Sequence, residues 1–300
     1  MSALLRHIWE ELRVPQWAKN LLTLAPLLFS KNLFEPSAVW KALSAFGVFC
    51  LVSSSVYVLN DLLDVRQDRA HPIKRQRPLA AGSLSVGAAW ATTVTLLGLG
   101  LAGGWLVKSS LGWILLGYWA IHLLYALVLK RLVILDALTV AIGFLLRVVA
   151  GAEVIEVAIS HWILICTAML ALFLGFIKRR HEWTLLQGQA GSHRGVLAHY
   201  NLQFLDMMIA IVTSATLMSY TFYTVSDETV AKFHTEALLF TLPFVFYGVF
   251  RCLYLFYQKG EGGDPIQNVL TDLPMVINLV LWVATVVVVL YLWGGGASAL

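Results

Sequence analysis

The chain has 300 residues, 59% of them hydrophobic and only 13% charged, with a formal net charge of +4 and a mean hydropathy of +0.77. A soluble domain carries about one-quarter charged residues, so the composition excludes an ordinary water-soluble fold. The basic residues sit between apolar runs, a pattern that reports membrane topology and excludes nucleic-acid binding as their purpose.

Backbone polar groups in lipid are satisfied only by helices or closed barrels. The apolar runs are about 20 residues long, whereas barrel strands need about 10 alternating residues, so the expected fold is all-α. Residues 2–13 place Leu4, Leu5, Ile8, Trp9 and Leu12 on one stripe with Arg6, Glu10, Glu11 and Arg13 facing away. This predicts a short helix lying in the membrane interface rather than a cleavable signal. Nine spans follow by hydropathy, over 18–32, 38–59, 85–106, 110–129, 132–152, 160–177, 202–223, 236–257 and 273–293. No repeat, low-complexity segment or linker divides them, so residues 1–300 are read as one polytopic domain. Cys50, Cys166 and Cys252 lie inside apolar runs and suggest neither a metal site nor a disulfide framework.

Charge sets the orientation. With the N-terminus inside, the inner segments hold Arg6, Arg13, Lys19, Arg66, Arg69, Lys74, Arg75, Arg77, Lys130, Arg131, Lys178, Arg179, Arg180, Arg194 and Lys259. The outer ones hold only Lys31, Lys108 and Lys232 beside several acids. Basic residues mark the cytoplasmic side, so the long polar loops 60–84 and 178–201 are expected there, in the inner (plasma) membrane of a bacterium.

The second span ends in Asn60-Asp61-Leu62-Leu63-Asp64-Val65-Arg66-Gln67-Asp68. At about 100° per residue, taking Asn60 as zero, Asp64 falls near about 40°, Asp68 near about 80° and Asp61 near about 100°. Three carboxylates on one face, beside the Asn60 amide, repel one another and are costly near lipid, and a hard divalent cation removes that cost. Mg²⁺ favours a few carboxylates plus substrate phosphate oxygens; Mn²⁺ suits the same donors. The next stretch, His71-Pro72-Ile73-Lys74-Arg75-Gln76-Arg77-Pro78, then Ala81-Gly82, reads as an ordered loop whose cations, Arg77 above all, are placed to neutralise a diphosphate.

The Asn60, Asp61, Asp64, Asp68 pattern at the end of the second helix resembles the UbiA superfamily of intramembrane prenyltransferases, over almost the whole chain. The resemblance implies a helical bundle around a cytoplasm-facing cavity, Mg²⁺-dependent ionisation of a diphosphate and a lateral opening for a lipid chain. Quinone-type members carry a second acidic motif where this chain has Gly175-Phe176-Ile177-Lys178-Arg179-Arg180-His181-Glu182, a basic stretch suited to an additional phosphate. Lys178 and Glu182 are spaced to pair across one helical turn. Pro15-Gln16-Trp17-Ala18-Lys19-Asn20, Tyr125 to Lys130, Asp136, Gly143 to Arg147 and Ala150-Gly151-Ala152 look like the decaprenyl-phosphate phosphoribosyltransferase branch. That branch implies phosphoribosyl diphosphate as donor and a polyprenyl phosphate lipid as acceptor, and it permits a homo-oligomer without establishing one. The candidate site is then Asp61, Asp64, Asp68 and Asn60 for the metal, Lys130 for catalysis, and Lys19, Asn20, Arg77, Tyr125, Lys178, Arg179, Glu182 and Arg147 for substrate. Two rival readings are a prenyl-diphosphate-dependent aromatic prenyltransferase of the same superfamily, which would need the second acidic motif, and a membrane transporter, whose acids belong near the midplane.

Overall fold

The computed structural model describes residues 3–70, 72–185, 195–260 and 265–293. His71, and the stretch 186–194 with His193 and Arg194, lie outside the described residues. The elements are α1 (Ala3–Glu11), a 3₁₀ segment (Val14–Leu24) running into α2 (Ala25–Phe29), α3 (Pro36–Ala70), α4 (Pro78–Ala81), α5 (Val86–Val107), α6 (Ser109–Leu127), α7 (Leu135–Val154), α8 (His161–Leu185), α9 (Leu202–Val225), α10 (Asp227–Phe233), α11 (Leu242–Lys259), α12 (Pro265–Thr271) and α13 (Leu273–Val287), the last continuing as a π-helix to Trp293. Among the described residues these are all helices, and eight are long and apolar enough to cross a membrane.

The first of the nine predicted spans, 18–32, is where sequence and structure differ. Residues 14–29 form eleven residues of 3₁₀-helix and five of α-helix, with Pro15 and Pro26 near the two starts. Pro15 sits in the first turn, where its missing N–H costs nothing, but Pro26 removes a donor at the junction, so no continuous α-helix runs through the two pieces. At about 2.0 Å per residue in the 3₁₀ part and 1.5 Å in the α part, the segment still extends about 30 Å, roughly the thickness of a hydrocarbon core. It reaches as far as a span without being a regular one.

α3 and α7 are the inner helices: 61% of the apolar window of each is buried, against 17% in α5. Phe49, Val52 and Val56 of α3 pack with Leu111, Leu115 and Tyr118 of α6 and with Ala150 and Val154 of α7. A second core joins Phe173 and Ile177 of α8 to Leu205 and Ile209 of α9 and buries Val196, Leu197 and Tyr200 from the connection before α9. The 35 residues of α3 extend about 50 Å, well beyond a bilayer core of about 30 Å. Its C-terminal turns, which follow the apolar run 38–59, therefore extend past the hydrocarbon core and carry the acidic face predicted from the sequence. The 60–84 loop is thus helical up to Ala70, where Pro72 disfavours continuation, and the 178–201 loop is helical up to Leu185.

Lipid supplies little hydrophobic drive between helices, so small residues set how closely they approach. Gly151 of α7 is the tightest case. A Cβ built there would lie 1.9 Å from the carbonyl oxygen of Thr23, so the 3₁₀ segment rests directly on the α7 backbone. Gly151→Ala is expected to destabilise the protein by about 1–3 kcal/mol or more, because backbone cannot swing aside as a side chain can. Thermal unfolding in detergent checks this, and an unchanged midpoint would show that the segment is free to shift.

Candidate active site

Asp64 and Asp68 stand in the last turns of α3, where the helix dipole disfavours negative charge. Local preference therefore opposes the motif, and compensation has to come from elsewhere in the chain. It comes from three segments. Arg77, just before α4, places Nη1 2.8 Å from Asp61 Oδ1 and 2.7 Å from Asp68 Oδ2. One guanidinium nitrogen touching residues seven apart shows that they share a helix face. Arg13, between α1 and the 3₁₀ segment, grips both carboxylate oxygens of Asp61, and Lys130, in a 3₁₀ turn after α6 (Leu129–Arg131), pairs with Asp64. Asp61 and Asp68 are buried, Asp64 is partly exposed, and Asn60 is half-buried beside them.

Two of these groups carry no signal in the sequence. Glu11, expected on the outer face of the interfacial helix, is instead 2% exposed and accepts the Leu79 N–H at 2.9 Å. That bond ties α1 to the loop bearing Arg77, which Arg69 also holds through the Ala80 carbonyl at 3.2 Å. Burial, and then the hydrogen bond and charge of Asp61, push the Glu11 carboxyl up to about 7. Arg13, predicted only as an orienting charge, adopts φ +51° to reach Asp61. Burial works against its charge, but the Asp61 carboxylate outweighs this and holds the guanidinium above its ordinary range. Neither residue belongs to a spacing pattern; both are brought in by the way α1 folds back over α3 and α4.

A second constellation forms where α7 and α8 meet. Arg179, 3% exposed, donates from Nε to Asp136 Oδ2 at 2.6 Å, from Nη1 to Glu182 Oε2 at 2.9 Å and from Nη2 to the Tyr125 hydroxyl at 3.3 Å. Glu182 is thus engaged by Arg179, an i,i+3 neighbour for which the sequence suggested no pairing. Asp136 is fully buried and also accepts from the Tyr200 hydroxyl at 2.9 Å. Burial, partly offset by the Ile134 N–H, pushes that phenol up to about 12, so it remains a donor at neutrality.

Arg147 and Asn20 belong to a third, fully buried set. The Arg147 nitrogens donate to Asn20 Oδ1 at 2.8 Å, the Gly143 carbonyl at 2.6 Å and the Tyr118 hydroxyl at 2.8 Å. The rings of Tyr118, Phe49 and Phe144 lie 4.9, 5.5 and 5.5 Å from the guanidinium carbon. Asn20 in turn donates to Ser53 Oγ at 3.0 Å. A charge at this depth needs partners; here all are neutral, and together they tie the 3₁₀ segment to α3, α6 and α7. Lys19 pairs locally with Gln16, and Lys178 is half-buried on α8.

Among the described residues, no three His, Cys, Asp or Glu side chains are grouped to hold a metal ion; the acids of α3 are turned onto cations instead. The donor set is nonetheless chemically suited to a hard dication: oxygen ligands only, on one helix face, at a place where positive charge is already required.

A sequence model of the UbiA prenyltransferase family matches residues 21–299. The chain is 31% identical to a decaprenyl-phosphate phosphoribosyltransferase of Corynebacterium glutamicum, over 94% of this chain and 86% of that one. It is 29% identical to the Mycobacterium tuberculosis H37Rv protein of the same name, over 94% of each. The fold matches that of a UbiA homolog from Archaeoglobus fulgidus, solved bound to GPP and Mg²⁺, with a TM-score of 0.69 at 17% identity over 95% of this chain and 99% of that one. It also matches a UbiA homolog from Aeropyrum pernix, with a TM-score of 0.66 at 14% identity over 96% and 99%. With its apolar helices it is an integral membrane protein. A match running through nearly every helix from the 3₁₀ segment to the C-terminal region is a match of the whole bundle, and this chain belongs to the UbiA prenyltransferase family.

Proposed function

We propose that the chain transfers a 5-phosphoribosyl group from phosphoribosyl diphosphate to a membrane polyprenyl phosphate, releasing diphosphate. The observation that carries this is the acid cluster of α3 met by cations from three separate segments. Asp61, Asp64 and Asp68, with Asn60, would hold Mg²⁺ or Mn²⁺, which when bound draws charge from the leaving diphosphate. Arg77, Arg13 and Lys130 already lie against these carboxylates and would supply positive charge to a diphosphate placed over them. An oxygen of the acceptor phosphate forms a bond to the ribose anomeric carbon as the bond from that carbon to the diphosphate breaks, and the electron pair leaves with the diphosphate. The acceptor oxygen is anionic at neutral pH, so the step needs no general base, and the chain's contribution is positioning and charge stabilisation. The name of the relatives and the basic stretch Lys178-Arg179-Arg180 support a donor with an extra phosphate. Arg179, Lys178 and Lys19 are the candidates to hold it, with Tyr125 and Glu182 on the ribose. The site would face the cytoplasm, with the N-terminus on the same side.

Incubation with phosphoribosyl diphosphate, Mg²⁺ and a series of polyprenyl phosphates should yield a phosphoribosylated lipid by mass spectrometry. An aromatic acid with a prenyl diphosphate should yield nothing. Efficient turnover of the second pair, and none of the first, would move the chain to the quinone-type branch.

A further inference from the structure

Lys130 and Asp136 stand at the two ends of one turn, and each enters a different constellation. Lys130 meets Asp64 of the acid cluster, and Asp136 holds Arg179. Between them Ile134 has φ +69° and ψ −44°, and the Val133 carbonyl accepts the Leu135 N–H at 2.8 Å. This is a γ-turn of the rare, strained hand, and a β-branched residue at its centre is an outlier. Such backbone persists only where its surroundings over-determine it.

Tyr200 is what determines it. Its hydroxyl oxygen accepts the Ile134 N–H at 2.7 Å and donates to Asp136 Oδ1 at 2.9 Å. One oxygen thus satisfies the backbone donor at the strained residue and engages Asp136 Oδ1, while Arg179 Nε donates to Oδ2. Independent contacts place that oxygen. The ring is buried in the α8–α9 core and stacked on Phe204 at 5.9 Å, and the Tyr200 carbonyl accepts the Trp183 indole N–H at 3.0 Å.

We propose that Tyr200 is a positioning residue whose hydroxyl clamps the Ile134 turn, presenting Lys130 to the acid cluster on one side and, through Asp136, fixing Arg179 on the other. This rests on the phosphoribosyl-transfer reading above. A group displaced by about 1 Å can cost about 100-fold in rate, so a clamp touching neither substrate has leverage over both halves of the site.

The test is Tyr200→Phe, which keeps the ring and its packing and removes only the clamping oxygen. kcat/KM for phosphoribosyl diphosphate should fall about 10- to 100-fold, with the KM for polyprenyl phosphate within about two-fold of the parent. Glycine adopts positive φ without strain, so Ile134→Gly should by itself change activity little. Added to Tyr200→Phe, it should recover about five-fold or more, because the turn no longer needs holding. Donor kinetics within about two-fold of the parent would overturn the clamp. So would a parallel loss in both substrates with a lowered unfolding midpoint and no recovery in the double variant, which marks a merely structural role. A parent protein inactive with this substrate pair would instead reject the transfer reading itself, and the clamp with it.

Discussion

Asp64→Asn is expected to lower phosphoribosyl transfer by about 100-fold or more, the range seen when one preorganised charge-stabilising group is removed, while the protein stays folded. Of the three acids on α3 it is the most informative to change. Asp61 and Asp68 are buried and share Arg77, and Asp61 also holds Arg13, so altering either disturbs packing as well as charge. The Asp64 side chain is 27% exposed and, among the described residues, its ion pair is with Lys130, so the isosteric amide removes a negative ligand with less disturbance than at the two buried acids. Radiolabelled donor and purified protein give the rate, and thermal unfolding gives the fold. Activity within about tenfold of the parent, well short of that range, would reject a metal role for this face.

Asp136→Ala should have the largest effect on stability. Asp136 is 0% exposed and Arg179 is 3% exposed, and they meet at 2.6 Å. Removing one partner of a buried ion pair leaves the other charge uncompensated and typically costs about 3–5 kcal/mol. Glu182, with its side chain 17% exposed, and the neutral Tyr125 compensate Arg179 only in part, because solvent screens the first and the second carries no charge. The unfolding midpoint in detergent should fall accordingly. Asp136→Ala combined with Arg179→Met should fall by clearly less than the sum of the two single changes, since the double variant strands neither member of the pair. Additive losses would show that the two residues act independently of one another.

The helical bundle was legible because lipid leaves the backbone so few choices. Runs such as 38–59 and 202–223 reappear inside α3 and α9 because length and hydropathy alone force them into helix. The shared face of Asp61, Asp64 and Asp68 was legible for a related reason: helical periodicity is local, and Arg77 bridging Asp61 to Asp68 realises it. The segment 18–32 resisted, because hydropathy counts apolar residues and registers neither the 3₁₀ winding up to Leu24 nor the break in the hydrogen-bond ladder at Pro26.

Composition and periodicity thus determined, without any coordinates, that this is a membrane-embedded helical protein with an acidic helix face beyond its apolar core. Both properties depend on a residue and neighbours within a few turns of it. Which distant groups actually meet that face, and which meet the buried Asp136, was decided only by tertiary structure. Arg13 is 48 positions from Asp61, Lys130 is 66 from Asp64, and Tyr200 is 64 from Asp136. Contacts of that separation arise from how helices cross and how connections fold back over their ends, and no spacing along the chain encodes them. The same holds for Glu11, whose place among apolar and charged neighbours suggested a solvated face until α4 closed over it.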